Sequence, residues 1–222
     1  MSQYFIKLIQ GGSVVEVTAA LDTNPSVAEY RDPQGVSALL WSVYTGQSAI
    51  RDLLLKKRRE RNVVPDVFEA AATGDEAHLQ SILGKDGSEA SAFSGDGWTA
   101  LHLAAAFGTP LSVGTLIFRG ARVDAVSKNA QRNQPLHAAL ALGKNPSTVE
   151  LLLSQGADPN ATQAGGFTAI FSAATANRKD LAELLVNHGA NPRHTNDQGK
   201  TPADFARERG HSELAAWLDG QA

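Results

Sequence analysis

The chain has 222 residues, 42% of them hydrophobic, 6% aromatic and 19% charged, which is ordinary polarity for a folded protein and excludes a disordered or low-complexity chain. Twenty Lys plus Arg against 23 Asp plus Glu leave a net charge of −3, so no global basic footprint draws it to nucleic acid or to an anionic membrane. No Cys and six dispersed His exclude disulfides, thiolate catalysis and Cys-ligated zinc, and no metal or other cofactor is expected.

Residues 1–10 (MSQYFIKLIQ) hold an apolar run broken by Lys7 and too short for a signal-peptide core, so no secretion signal is read and a cytoplasmic protein is expected. The densest later apolar stretch, 50–55, contains Arg51 and Asp52, far from the roughly 20 apolar residues of a membrane span. What organises the chain is a glycine after each alanine-rich segment. It recurs as Gly12, Gly46, Gly74, Gly108, Gly143, then Asn177, then Gly210, at spacings of 34, 28, 34, 35, 34 and 33. Asn substitutes for Gly where the backbone is left-handed, so Asn177 keeps the series intact. A period near 33 predicts a stacked solenoid, because one such unit cannot bury its own apolar face.

Each unit reads as a helix pair. The first, 1–31, has Phe5, Leu8, Ile9 and then Val17, Ala20, Leu21 at helical spacing; it starts too near the terminus for a turn-rich finger and reads as an N-terminal cap. In 32–63 a helix with Ile50, Leu53 and Leu54 runs into Lys56-Lys57-Arg58-Arg59-Glu60-Arg61 in place of the usual exit, which accounts for the spacing of 28. That basic run reads as a solvated helix end whose cations complement the helix dipole, and a weak seam is expected near residue 60. Unit 64–95 passes into Gly84-Lys85-Asp86-Gly87-Ser88, again without a Gly-Ala exit.

From there the pattern is regular through 96–130, 131–163, 164–196 and a C-terminal cap, 197–222. First helices are predicted at 100–106, 136–141 and 169–176, with Thr99, Thr168 and Thr201 as N-caps and Pro202 in a first turn. Second helices carry Val149, Leu151, Leu152, Leu153 and Leu181, Leu184, Leu185, and end at Gly120-Ala121, Gly156-Ala157 and Gly189-Ala190. The unit of Gly143 has one extra residue, with Pro146 opening its second helix, and predicts a local bulge.

Thr99-Ala100-Leu101-His102-Leu103-Ala104-Ala105, its variant Gln134-Pro135-Leu136-His137-Ala138-Ala139, and the exits Gly156-Ala157-Asp158-Pro159-Asn160 and Gly189-Ala190-Asn191-Pro192 resemble the ankyrin repeat family. The resemblance covers nearly the whole chain. It implies an all-α solenoid of about seven stacked helix pairs, caps included, with short β-hairpin fingers along one edge. It also implies a concave groove that binds another protein or peptide without catalysis.

By the same resemblance the groove takes the finger residue before each cap and the two residues before each marker. Trp98, Phe107, Leu142 and Phe167 then fall in three consecutive units and are expected to form one stripe outside the core. Tyr44 and Asn133 flank it, and Lys200 and Arg209 supply a charged rim. These eight are the candidate partner-binding residues. A stoichiometric inhibitor or immunity-type protein that blocks a partner's active site, or a self-assembly element, are the alternatives; a monomer without nucleic-acid or membrane partners is expected.

Other motifs carry less. Gly199-Lys200-Thr201 ends like a phosphate-binding loop, but the position that should hold the first glycine is His194, so it reads as a turn and cap. Gly95-Asp96-Gly97 reads as a finger tip. His102 and His137 recur in register and read as structural, bonding a cap hydroxyl or a neighbouring loop. His188 and His211 read the same way, and His194, Asp197 and His211 match no metal-ligand spacing. The basic run lacks interleaved aromatics, and no Gly-x-Ser-x-Gly elbow or paired-carboxylate motif points to an enzyme.

Overall fold

The computed structural model describes residues 2–143 and 145–221; Met1, Lys144 and Ala222 lie outside the described residues. Among the described residues fourteen α-helices follow one another as consecutive pairs. They are α1 (Ser2–Gly11) with α2 (Val14–Thr23), α3 (Ala38–Tyr44) with α4 (Ser48–Glu60), α5 (Val67–Thr73) with α6 (Glu76–Lys85), and α7 (Ala100–Phe107) with α8 (Pro110–Phe118). Then come α9 (Pro135–Ala138) with α10 (Pro146–Ser154), α11 (Ala169–Thr175) with α12 (Lys179–Asn187), and α13 (Pro202–Glu208) with α14 (Ser212–Asp219). The fold is an all-α solenoid.

Side-chain size sets how the pairs stack. The first helix of a pair is alanine-rich and buried nearly all round; in α7 every residue from Ala100 to Ala106 is buried. Second helices bury one stripe of larger residues, such as Leu181, Ala182 and Leu185 in α12. Small residues let the first helices approach closely, while the second helices meet through larger side chains.

Local signals act largely as their chemistry dictates. Thr99 and Thr201 accept from the third helical N–H, and His102 and Asp204 return bonds to complete capping boxes. Thr168 departs from expectation: its side chain makes no cap bond, and its buried hydroxyl has no partner among the described residues. The marker series has two physical causes instead of one. Gly12, Gly46, Gly74, Asn177 and Gly210 are left-handed, with φ of 54° at Asn177. Gly108, at φ −83°, is not; there a Cβ would lie 2.3 Å from the Ala71 carbonyl oxygen, so glycine is required by close helix approach. The extra residue of the fifth unit is absorbed by a π-turn, Ala139–Gly143, with Pro146 opening α10, which is the expected bulge.

The fingers are turns more than hairpins. Each closes on itself, as in Ser94 N–H to Trp98 O at 2.8 Å and Gln163 N–H to Phe167 O at 2.9 Å, and strand character among the described residues is limited to the bridges Arg31–Ser37 and Phe93–Thr99. Adjacent fingers are joined by Lys128 N–H to Gly97 O, Ala164 N–H to Gln131 O and Asp197 N–H to Gly165 O. Between α4 and α5 the chain makes no such finger. The finger of the second unit therefore meets that of the fourth, where a Cβ on Gly95 would fall 1.6 Å from the Gln34 carbonyl oxygen. The short spacing of 28 thus reflects a missing finger as well as a missing exit.

The apolar interior has parts. One cluster runs from Phe5 to Leu54, a second from Val67 to Leu218, and a small third one of Val36, Leu40, Ala72 and Leu103 lies between them. Arg58 crosses the same gap. Contrary to the solvated helix end expected from the basic run, it is only 4% exposed, and its guanidinium donates to both Glu69 oxygens at 2.7 Å. Lys57 pairs with Asp22 at 3.0 Å and Arg61 with Glu29 at 2.8 Å, so these two cations of the run fold back onto the first unit.

Candidate functional site

The groove positions fall on the ends of the first helices and on the fingers, but the expected single stripe divides in two. Trp98 and Phe107, both half-buried, gather with Trp41, Tyr44 and Phe68 over the small apolar cluster of Val36, Leu40, Ala72 and Leu103. Tyr44 and Phe107 come from units two apart, yet their rings are 5.6 Å between centroids. The Tyr44 hydroxyl donates to Asp96 Oδ2 at 2.9 Å. Burial first, and then the Asp96 carboxylate, push that phenol up, so it is a fixed donor. Trp98 and Phe107 were expected to stand clear of the core; instead they cover it, because the missing finger lets the second and fourth units close over α5.

Phe167 belongs to a second cluster. It meets Phe171 at 5.2 Å and Phe205 at 5.5 Å, and Phe171 meets Phe205 at 5.4 Å, all edge to face. These rings wall an open depression of about 270 Å³ whose floor is Ala141, Ser172, Thr175 and Ala176, with Gln163 at the side. Leu142, on the π-turn, is 50% exposed. Lys200 stands over the Phe205 ring and pairs with Glu208 at 2.6 Å, while Arg209 is exposed at the end of α13 with no ion pair among the described residues.

One candidate is withdrawn. Asn133 is 6% exposed; its N–H donates to Ser127 Oγ at 3.0 Å and its carbonyl accepts from His102, so it is finger interior and offers a partner nothing. Phe171 and Phe205 were not singled out from the sequence. Phe205 shares its register with Trp41, four residues after the cap, and that repetition is the signal that could have found it.

The histidines have bonds that explain them. His102 bridges Thr99 Oγ1 at 2.8 Å and Asn133 O at 3.0 Å, and His137 Nε2 contacts Ala161 O at 3.0 Å. Burial pushes His102 down to about 4 and His137 in the same direction, so both are neutral and donate Nε2–H to a carbonyl of the following finger. His194 reaches Gly166 O at 2.9 Å and His211 reaches Thr175 O at 3.2 Å. Among the described residues no group of three His, Asp or Glu is placed to hold a metal ion, and no helix is long and apolar enough to cross a membrane.

Comparison with known proteins agrees with this architecture. The family model described as ankyrin repeats (3 copies) matches residues 67–163 and 136–220. An ankyrin repeat domain-containing protein, SAT10, of Stachybotrys chartarum (strain CBS 109288 / IBT 7711) is 28% identical over 165 residues, which cover 74% of this chain and 8% of that protein. Ankyrin repeats generally mediate protein–protein interaction and are typically non-catalytic. On the family match and the stacked helix pairs with their joined fingers, the chain belongs to the ankyrin repeat family.

Proposed function

We propose that the chain is a protein-binding module, without catalysis, whose first-helix and finger face takes a partner through the Phe167–Phe171–Phe205 depression and the neighbouring Leu142, with Arg209 at the rim. The observation that carries this reading is the depression itself. Three rings held edge to face over a floor of small residues form an apolar socket beside an exposed leucine, and such sites anchor a partner side chain at little rotamer cost. Trp98, Phe107 and Tyr44, which cover the separate cluster of Val36, Leu40, Ala72 and Leu103, contribute their exposed edges.

The test separates binding from folding. A partner recovered from native lysate is titrated against the wild type, Leu142→Asp and Arg209→Glu, both at exposed positions, with thermal melts in parallel. Leu142→Asp is expected to weaken binding by roughly tenfold or more at an unchanged melting temperature. Arg209→Glu acts mainly on association rate and salt dependence. Full affinity in both variants, together with loss of affinity in Phe118→Ser on the second-helix side, would place the partner elsewhere.

A further inference from the structure

The short linker after α4 leaves a place in the array unfilled. In the regular units a second helix is followed by a buried exit alanine, Ala121, Ala157 or Ala190, and then by a finger. Residues 61–66 supply neither, and between α4 and the α5–α6 pair lies a groove of about 380 Å³. Its walls are largely apolar, with Leu39 and Leu55 on one side of the joint and Val63 and Pro65 in the linker. Two arginines reach it from the last turn of α4. Arg58 is occupied by Glu69, and the neighbouring Asp66 is held by Arg31. Arg59 differs: its Nε donates to the Leu55 carbonyl at 3.3 Å, which lays the guanidinium along the groove wall, and it has no ion partner among the described residues. At the opposite end, by the α5–α6 turn, Asp75 Oδ2 bonds the His78 ring at 2.8 Å and the Thr73 hydroxyl donates to the Glu69 carbonyl. Arg59 is thus the charge in the groove that lacks a partner.

We propose that this groove binds a small organic anion, a free monocarboxylate with an alkyl or aryl body, its carboxylate on Arg59 and its body against Leu39, Leu55, Val63 and Pro65. The size and lining are those of a small-molecule site, which typically spans about 300 to 1,000 Å³ and sets a few polar groups in apolar walls. Charge selects the head. Arg59 offers a planar fork that suits a carboxylate, and beside the buried Arg58 such a pair is stronger than on open surface. Seating the anion there also keeps it at the end away from Asp75. The walls select the body, because a bare inorganic anion would leave them wet. They come from both sides of the joint between the second and third pairs, so the ligand ties α4 to α5 and α6 and stabilises the folded chain. This site is separate from the aromatic depression and does not rest on it.

Octanoate is the probe, titrated into the whole chain while amide NMR shifts are followed, with octanol and inorganic phosphate in parallel. Saturable shifts are expected at Leu55, Arg59, Val63 and Asp75, and none at Phe171 or Phe205. Octanol should bind roughly tenfold more weakly, and phosphate should not bind measurably. Arg59→Gln sits at an exposed helical position that glutamine suits, so the melting temperature should hold while octanoate weakens by roughly tenfold. Arg59→Lys should keep most of the affinity. Arg61→Gln removes the same charge from a cation paired with Glu29 and should leave octanoate binding unchanged. The proposal is overturned by the absence of saturable binding, by equal affinity for octanol, by binding that Arg59→Gln leaves intact, or by shifts centred on Phe171 and Phe205.

Discussion

One register position, three residues after each cap, shows how a repeat reuses a place. In successive units it holds Leu40, Glu69, His102, His137, Phe171 and Asp204. The two histidines bond the following finger, Glu69 takes an arginine, Phe171 joins a ring cluster and Asp204 closes a cap. For His102 the placement has a pH consequence. Burial pushes its imidazole down to about 4, only partly offset by the Asn133 carbonyl, while the unfolded chain titrates near the ordinary value of 6.5. Between those values the unfolded form binds a proton that the folded form refuses, so stability falls as pH drops from about 6.5 to about 4. The shift corresponds to about 3 kcal/mol from His102, and His137 adds in the same direction. Urea denaturation at stepped pH should show a steep loss in that window, and His102→Gln should be less stable near neutrality with a shallower slope. A flat profile for the wild type would mean that the ring is reached by water.

At the scale of elements, α4 is the exception that organises its neighbours. Its last turn carries Lys57, Arg58 and Arg59, and the buried Arg58–Glu69 pair ties it to α5. Burial pushes the Glu69 carboxyl up, but Arg58 and the bonds from Ser37 and Asp66 outweigh it and hold the group below the ordinary carboxylate range. Arg58→Met leaves that carboxylate buried without its main partner and should cost about 3 kcal/mol or more. Adding Glu69→Leu should recover part of the loss; a double variant as unstable as the sum of the single changes would show that the two side chains do not act as a pair. Charge-run statistics point to a solvated helix end, and they misplaced Arg58 because the carboxylate that draws it inward lies in the next unit. The regular half was legible because its signals are local: caps at Thr99 and Thr201, exits at Gly120, Gly156 and Gly189, and the extra residue that became a π-turn. The divided aromatic stripe was not. It depends on the missing finger of the third unit, which lets Tyr44 reach Phe107, and even spacing along the sequence implies even stacking in space.

At the scale of the molecule, the question is whether one cooperative unit spans the array. A solenoid is held by nearest-neighbour contacts, so its weakest joint sets where it divides. The joint between the second and third pairs separates the apolar cluster of Phe5 to Leu54 from that of Val67 to Leu218. What crosses it is the small cluster under Trp98 and Phe107, the contacts of Tyr44 with Phe107 and Asp96, the ion pairs of Glu69 and Asp66 with Arg58 and Arg31, and the contact of two fingers at Gly95. Apolar stacking in the α7 to α13 region is continuous by comparison, and buried ion pairs add little net stability beyond the cost of stripping their water. We therefore expect α1 to α4 to open as a separate unit at lower free energy than the rest. Native-state hydrogen exchange at low denaturant should show the amides of α2 and α4 exchanging through a sub-global opening, while those of α7, α11 and α12 exchange only on global unfolding. Arg58→Met should lower the opening free energy of the first group and leave the second unchanged. Equal protection in both groups, falling together in the variant, would mean that the bridging cluster makes the array a single cooperative unit.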